Sequence, residues 1–278
     1  MKPLLQSKIL FRCFLAAMLF SIAACTHIPK STDAIATQFP DDALDVDDEE
    51  ITAFSENQTE VLSAEWEPML FNRNKKRTEY AVVSDQGRKV LHARAAASAS
   101  GLIHTLNIDP LLDSRLTWEW RISRLIESAD SSDRSREDAP ARIILGFDGN
   151  KDDLPFADQI MFEAARAITG REIPYATLMY IRAKKEPLDT VISNSRSGRV
   201  KMIVVATGKE GVDEWRSFSR DIAADYERAF GEKPGRLIGV GVLTDTDNTG
   251  ETVEAWYRDI QLTQNEPMAD LHQLETAP

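Results

Sequence analysis

The sequence predicts a mainly β protein, an antiparallel β-sandwich of jelly-roll type decorated with two helices. About nine segments have strand patterns, and most of them follow one another without an intervening helix. In residues 115–122 (RLTWEWRI), apolar side chains alternate with polar ones, which places Leu116, Trp118, Trp120 and Ile122 on one face of a strand. An α/β fold would require helices between most strands, and the pattern does not supply them.

The remaining strands are predicted from local patterns. Residues 79–83 and 90–95 flank SDQGRK, which is typical of a hairpin turn. The apolar run 141–149 (ARIILGFDG) indicates a strand buried on both faces. The alanine-rich segment 92–106 is expected to be a strand that runs into a loop. Further strands are predicted in four segments: 176–183, 199–206, 236–244 and 252–263.

Two segments have helical spacing. The first is FADQIMFEAARAITG, with Ile160, Phe162, Ala165 and Ile168 on the expected apolar face and Gly170 as a stop. The second is RDIAADYERAFGEKPG, with Ile222, Tyr226 and Phe230 on one face. Gly231 and Pro234 follow at its end, as expected for a C-terminal cap.

The N-terminus has the pattern of a lipoprotein signal peptide over residues 1–24. Lys2, Lys8 and Arg12 precede an 11-residue apolar core (14–24), which is too short to span a bilayer as a helix. IAAC then places Cys25 where a lipobox cysteine is acylated. This resemblance to a lipobox implies that the chain is anchored in the membrane through Cys25. The alternatives are an ordinary signal peptide cut after Ala24 and an uncleaved anchor, and the lipoprotein is favoured because the cysteine falls where apolar character stops. Thr26 follows in place of Asp, which favours the outer membrane over the inner one.

Composition defines the other segments. Residues 25–55 are predicted to be an acidic flexible tether, because 41–50 carry seven acidic residues in ten. The sandwich domain is placed at 56–263 and a polar tail at 264–278. Loss of Lys2, Lys8 and Arg12 would take the net charge from -12 to -15, so nucleic acid is not expected as a partner. With Cys13 removed, one cysteine would remain and no disulfide could form within the chain.

An ordered set of motifs resembles a known family. The segments are ASASGLIH, LTWEWRI, ARIILGFDG, PYATLMYI, GRVKMIVV, RDIAADYERAFGEKPGRLIGVGVLTDTDNTGE and AWYRDI. Together they resemble the bacterial envelope proteins known as domain of unknown function 3047, over roughly 66–262. The resemblance implies a secreted, β-rich protein and transfers no catalytic residue.

The stretch DTDNTG (245–250) has two interpretations. Asp245, Asp247 and Thr249 alternate as oxygen ligands of a structural Ca²⁺ would, and Asp259 could add a ligand from the last strand. An EF-hand is excluded, because the twelfth position is Trp256 and the flanks have strand patterns. The other interpretation is a polar turn whose side chains bond to the backbone, and it is favoured.

Candidate binding and catalytic residues are few. Trp256 and Tyr257 are neighbours in a predicted strand and point to opposite faces, so one of them is the candidate exposed ring for a ligand. His104 is a candidate ligand-binding residue or general base. Glu119 and Asp148 are the weak candidates for a catalytic pair, although Asp148 is also a natural turn residue. The chain contains no G-x-S-x-G, H-E-x-x-H or P-loop motif.

Three functions agree with these features. The leading hypothesis is a membrane-tethered envelope lipoprotein, facing the periplasm, whose sandwich binds carbohydrate or another extracytoplasmic ligand without catalysis. The second is a glycan-active hydrolase or lyase that uses clustered carboxylates. The third is a structural or assembly partner of another envelope protein.

Overall fold

The computed structural model describes residues 66–71, 74–111, 115–169, 172–194 and 197–263. The predicted signal peptide, Cys25 and the tether lie outside these residues, as does the predicted tail. Within the described residues, no helix has the length and apolar character needed to cross a membrane.

The described residues form two sheets that pack as a β-sandwich, which confirms the predicted fold class. In chain order the elements are β1 (Trp66–Met69), β2 (Glu79–Asp85), β3 (Arg88–Ala96), β4 (Ala99–Ile108), β5 (Arg115–Ile122), β6 (Arg142–Phe147), α1 (Phe156–Thr169), β7 (Ala176–Ala183), β8 (Val191–Ser193), β9 (Val200–Thr207), β10 (Arg216–Asp221), α2 (Ile222–Phe230), β11 (Leu237–Asp245) and β12 (Thr252–Thr263).

One sheet has seven strands in the order β1-β4-β11-β6-β7-β9-β8, and the other has five in the order β10-β5-β12-β3-β2. Among these described strands, all pairings are antiparallel except that of β7 with β9.

The main core lies between the two sheets. The apolar residues of β5 all point into it, as their alternation predicts, and Trp118 stacks on Tyr180 of the opposite sheet with ring centroids 5.1 Å apart. Every residue of β6 is buried, as its unbroken apolar run predicts. These two strands give each sheet a fixed inner face, and they therefore decide which residues of the neighbouring strands point outward.

The alanine-rich segment was predicted wrongly as one strand and a loop. It forms the end of β3 and the start of β4, which belong to different sheets. Ala97 has a φ of 50° at the reversal, and the Ser98 hydroxyl accepts a hydrogen bond from the Ala96 N–H. This side-chain bond to the backbone stabilises the connection without a glycine, so the sequence carries no turn signal that would have predicted two separate strands.

Three further strands, β1, β8 and β10, were not predicted. Each lies at the edge of its sheet and pairs with one neighbour only. The sequence of β10, RSFSRD, is largely polar because most of its residues are exposed or half-buried. Edge strands bury little apolar surface, so their sequences carry a weak strand signal.

Both predicted helices are present. In α2, the side chain of Asp221 caps the N-terminus by accepting a bond from Ala224 N–H, and Gly231 ends the helix with a φ of 74°. In α1, Phe162 is buried as predicted, but the assignment of Ile160 to the inner face was wrong, since Ile160 is 54% exposed. Phe156, one turn before it, is 76% exposed.

Replacement of the α2 cap should weaken the fold measurably. Asp221→Ala removes the acceptor at the helix N-terminus, and we expect the free energy of unfolding to fall by about 1 kcal/mol. Urea unfolding followed by circular dichroism measures the change. Ser219→Ala, on the exposed side of β10, is the control and should stay within about 0.5 kcal/mol of wild type. Equal stability of the two variants would show that Asp221 does not cap the helix.

Candidate functional site

The candidate site is the outer face of the five-stranded sheet, the face turned away from the core. On β5, β12 and β3, the register places Arg121 beside Trp256 and Trp256 beside His92. The three side chains share the outer face because their neighbours Trp120, Tyr257 and Leu91 point into the core. The alternation of inward and outward side chains on these three strands therefore places the planar side chains in a row on the outer face.

The planar side chains stack on one another. Trp256 lies between the guanidinium of Arg121, whose Cζ is 4.2 Å from the indole centroid, and the ring of His92, at 5.0 Å and an interplanar angle of 18°. Trp215 continues the array, with Arg121 Cζ 5.4 Å and Arg258 Cζ 3.9 Å from its ring centroid. We call His92, Trp256, Arg121, Trp215 and Arg258 the aromatic stack. Cation–π contacts of this kind hold the rings in fixed orientations.

Trp215 reaches the outer face from the loop 208–215, which crosses from β9 in one sheet to β10 in the other. Gly208 and Gly211 adopt positive φ angles of 63° and 66° in this loop. Arg182, fully buried in β7, donates from Nη2 to the carbonyl oxygens of Gly208 and Glu210. The buried arginine thereby fixes the start of the loop that carries Trp215.

A hydrogen bond across the sheet makes the outer face concave. Trp215 Nε1 donates to Asp85 Oδ2 at 2.8 Å, yet Trp215 precedes β10 and Asp85 ends β2, the two opposite edge strands. Four strand spacings would separate these edges by about 19 Å in a flat sheet, more than the two side chains can bridge. The five-stranded sheet therefore curls, and we call its concave outer face the cleft.

Charged groups in the cleft are arranged in pairs. Arg258 donates from Nε and Nη2 to Glu119 Oε2, with both N–O distances 2.6 Å, and Arg88 Nη2 lies 2.8 Å from both oxygens of Asp259. The other two pairs are Arg121 with Asp85, at 3.4 Å, and His92 with Glu254, at 2.8 Å. Each carboxylate of the cleft is thus oriented by a cationic or imidazole partner.

The environment of Glu119 keeps it ionised. Burial acts to raise the pKa of this carboxyl, but hydrogen bonds from Ser217 and Arg258 outweigh burial and leave the pKa below its ordinary value. A catalytic acid of a glycosidase needs the opposite shift. The arrangement around Glu119 therefore suits binding and orientation better than proton donation.

The structure separates the two aromatic candidates of the last strand. Trp256 faces the cleft and is half-buried, whereas Tyr257 is fully buried and its hydroxyl donates to the Leu243 carbonyl at 2.9 Å. The two side chains point to opposite faces, as their adjacency in a strand predicts, and burial removes Tyr257 from the ligand-binding candidates. The reason is the period of two, which turns neighbours to opposite faces.

His104 and Asp148 lie away from the cleft. His104, on β4 of the other sheet, is 7% exposed and packs against the ring of Trp66, so a ligand in the cleft does not contact it. Asp148 follows β6, where its Oδ1 accepts a hydrogen bond from Gly149 N–H at 2.8 Å. It is the turn residue that its position predicts, and it does not pair with Glu119 of the opposite sheet.

The stretch DTDNTG forms a turn organised by an aspartate outside it. Asp138, almost fully buried, accepts hydrogen bonds from the backbone N–H groups of Asn248 and Thr249. It also accepts from the Asn248 side-chain amide and the Thr249 hydroxyl. The hydroxyl of Thr249 is therefore a donor to Asp138 in this arrangement. Asp138 belongs to the serine-rich loop 127–140, so this loop is bound to the turn.

Three carboxylates of this region lie close together. Oxygens of Asp138, Asp245 and Asp247 are all within 4.8 Å of one another, a spacing that could suit a metal ion. Arg142, however, donates to both oxygens of Asp245, at 3.0 and 3.1 Å, and Lys75 pairs with Asp247. Burial raises the pKa of Asp245 to about 6, although Arg142 acts in the opposite direction. Cationic side chains thus occupy the positions around these oxygens.

Asp259 does not join this group. Seven residue steps along β12 separate it from Thr252, where the turn ends, which corresponds to about 23 Å. Its φ of 52° marks an irregularity in β12, and its carboxylate binds Arg88 in the cleft. The predicted set of four metal ligands is therefore divided between two distant regions.

Sequence reasoning missed several residues that organise both regions. The alternation of β5 and β12 could have placed Arg121 and Arg258 on the outer face, since each follows an inward-pointing aromatic residue. Trp215 and Asp138 gave no such signal, because each lies in a loop and acts on a segment far away in sequence. Contacts of that kind depend on the tertiary fold.

Calcium should have little effect on this region. Because Arg142 and Lys75 already neutralise Asp245 and Asp247, we expect the Tm to shift by less than about 1 °C between excess calcium and chelator. Asp138→Ala should lower the Tm by several degrees in both conditions, since it leaves the half-buried donors of Asn248 and Thr249 without their acceptor, at about 1–3 kcal/mol in total. Differential scanning calorimetry measures both effects.

Asp133→Ala is the matched control, because Asp133 is a half-buried aspartate of the same loop whose side chain bonds, among the described residues, to its local neighbours Ser135 and Arg136. Its Tm should stay close to that of wild type. A calcium-dependent rise in wild-type Tm that disappears in Asp138→Ala would establish a metal site instead.

Comparison with solved structures finds β-sandwich proteins of low sequence identity. Endoglucanase cel12A from Rhodothermus marinus is 10% identical with a TM-score of 0.41, over 72% of this chain and 96% of that one. A family 12 xyloglucanase from Bacillus licheniformis is 7% identical with a TM-score of 0.40, over 71% and 90%. The K2 cleaved adhesin domain of Lys-gingipain is 9% identical with a TM-score of 0.33, over 76% and 97%. Likenesses at this level carry no inference about this chain.

Comparison with curated proteins gives no match. A family match, in contrast, covers almost the whole described region, from residue 64 to residue 261. It includes every strand that builds the cleft and the turn bound by Asp138. The match agrees with the family that the ordered motifs resemble, and the chain belongs to the family described as protein of unknown function (DUF3047).

Proposed function

We propose that this chain is an envelope lipoprotein that binds a carbohydrate in the outer cleft of its five-stranded sheet and does not cleave it. The observation that carries the proposal is the aromatic stack in a concave face, bordered by paired carboxylates and guanidiniums. Ligand sites are typically concave and combine aromatic side chains with a few polar groups held in fixed orientations.

The polar groups of the cleft suit sugar hydroxyls. A hydroxyl both donates and accepts a hydrogen bond, and the cleft presents acceptors such as Glu119 and Glu254 beside the donor Arg121. Ion pairs and stacking hold these planar groups in place, so little side-chain entropy is lost when a ligand binds. Because Arg121 and His92 flank Trp256, the ligand meets mainly the edge of this indole.

Catalysis is not part of the proposal. A glycosidase uses two carboxyl groups across the scissile bond, one of them kept protonated by its surroundings. Glu119 is ionised by its contact with Arg258, and Asp148 lies beyond the other sheet. The predicted catalytic pair therefore does not meet in one cleft.

The proposal places the domain at a membrane through the lipobox cysteine. Acylation of Cys25 and the acidic segment that follows it would hold the sandwich away from the bilayer, facing the periplasm, with the outer membrane favoured. An acidic tether resists collapse onto anionic lipid surfaces because like charges repel. The cleft would then be free to meet glycans of the envelope.

Binding should depend on Trp256. Trp256→Ala removes the central ring of the aromatic stack, and we expect the dissociation constant for a soluble polysaccharide to rise at least about tenfold, which corresponds to about 1.4 kcal/mol. Affinity electrophoresis in gels containing soluble polysaccharides measures the change. Phe156→Ala on α1 is the control, an exposed aromatic residue outside the five-stranded sheet, and it should bind like wild type. Release of reducing ends during these measurements would contradict a non-catalytic role.

Membrane association should depend on Cys25. Cys25→Ala removes the thiol that would be acylated, and we expect the protein to move from the detergent phase to the aqueous phase in Triton X-114 partition. Cys13→Ala, inside the predicted signal peptide, is the control and should partition like wild type. If Cys25→Ala remains in the detergent phase, the lipoprotein assignment is wrong.

A further inference from the structure

We infer that the cleft selects uncharged saccharides over acidic ones, and that Arg121 is a principal hydrogen-bond donor to the ligand. This inference rests on the proposed function and adds the ligand class and a specificity residue to it. Two features support it: the ion pairs that the charged groups of the cleft form with one another, and the N–H groups of each arginine that remain able to donate to a ligand.

The cationic and imidazole side chains in and beside the aromatic stack are matched by carboxylates. Arg258, Arg88, Arg121 and His92 each contact a carboxylate on the same face. Their partners are Glu119, Asp259, Asp85 and Glu254. Three guanidiniums and one imidazole thus match four carboxylates, and the chain as a whole carries a formal charge of -12. A uronic acid or sulfated sugar would therefore enter a region of unfavourable potential.

Two of the arginines are already committed to strong pairs. Arg258 holds Glu119 through two nitrogens at 2.6 Å, and its side chain is 13% exposed. Arg88 binds both oxygens of Asp259. An anionic ligand could use the paired nitrogens of Arg258 only by displacing Glu119, a partly buried carboxylate that would then remain without its partner. These pairs shape the cleft and resist exchange with a ligand carboxylate.

Arg121 differs from the other two. Its single hydrogen bond among the described residues is the long one to Asp85, at 3.4 Å, and its Nε is buried without a partner. The side chain is 18% exposed and lies against Trp256 and Trp215, which fix the plane of the guanidinium. Its Nη groups are thus oriented and incompletely bonded, which favours donation to a hydroxyl or ring oxygen of a neutral sugar.

A panel of matched polysaccharides tests this ligand class. Mixed-linkage β-glucan, mannan and soluble starch are each compared with their own C6-carboxylated derivatives, using the full chain in detergent and isothermal titration calorimetry. We expect at least one neutral polymer to bind at least about tenfold more tightly than its carboxylated derivative. Its affinity should change less than about twofold between about 50 mM and 500 mM NaCl, because no net charge is neutralised on binding.

Two results distinguish failure of this inference from failure of the proposed carbohydrate binding. Tighter binding of a carboxylated polymer, weakened by salt, would overturn the inference and leave carbohydrate binding in place. Failure of every polymer to bind would overturn both.

Glu119→Gln tests whether matched charges cause the selectivity. The change keeps the size of the side chain but releases Arg258 from its carboxylate. We expect the ratio of neutral to carboxylated affinity to fall at least about tenfold, because Arg258 can then pair with the ligand carboxylate. Glu163→Gln on α1 is the control and should keep the wild-type ratio. An unchanged ratio in a folded Glu119→Gln protein would overturn the inference.

Arg121→Gln and Arg121→Ala test the proposed donor. Gln keeps a planar N–H donor without charge, and for a neutral ligand we expect it to retain more affinity than Ala, whereas Ala should bind at least about tenfold more weakly than wild type. Wild-type affinity in Arg121→Ala, with an unchanged Tm, would remove Arg121 from the site.

Discussion

The hydrogen bond between Trp215 and Asp85 is the contact on which the candidate site depends. It joins the two edges of the five-stranded sheet, and the sheet must curl for the two side chains to meet. The same indole stacks on Arg258 and Arg121, so the contact that curves the sheet also orders the groups inside the cleft. Trp215 therefore determines both the curvature of the outer face and the orientation of the arginine side chains on it. Arg182 supports it from within by binding the loop that delivers Trp215.

At the other end of the molecule, Asp138 and Arg142 hold the turn between β11 and β12. Asp138 accepts bonds from Asn248 and Thr249, and Arg142 pairs with Asp245 at the end of β11. This turn sets where β12 begins, and the register of β12 decides that Trp256 faces outward and Tyr257 inward. A polar cluster that resembles a metal site in sequence thus acts on the cleft through strand register.

Sequence predicted the site only where a local pattern decided it. Alternation placed Trp118 and Trp120 in the core and separated Trp256 from Tyr257, because period two is a property of any extended strand. It also suggested His104 and a four-residue metal set, and the fold places His104 in the other sheet and Asp259 about 23 Å along β12 from the turn. Spacing in the sequence does not reveal these separations, because it does not show which sheet a strand joins or how far along a strand a residue lies.

The sequence by itself determined the β-sandwich, most of its strands and both helices, because hydrophobic periodicity is a local feature. The tertiary structure alone decided that the five-stranded sheet is concave and that Trp215 lies on it. It also decided that the carboxylates Glu119, Asp259, Asp85 and Glu254 each meet a guanidinium or an imidazole. Those outcomes join residues up to 171 positions apart, such as Arg88 and Asp259, and only the folded chain brings them within bonding distance.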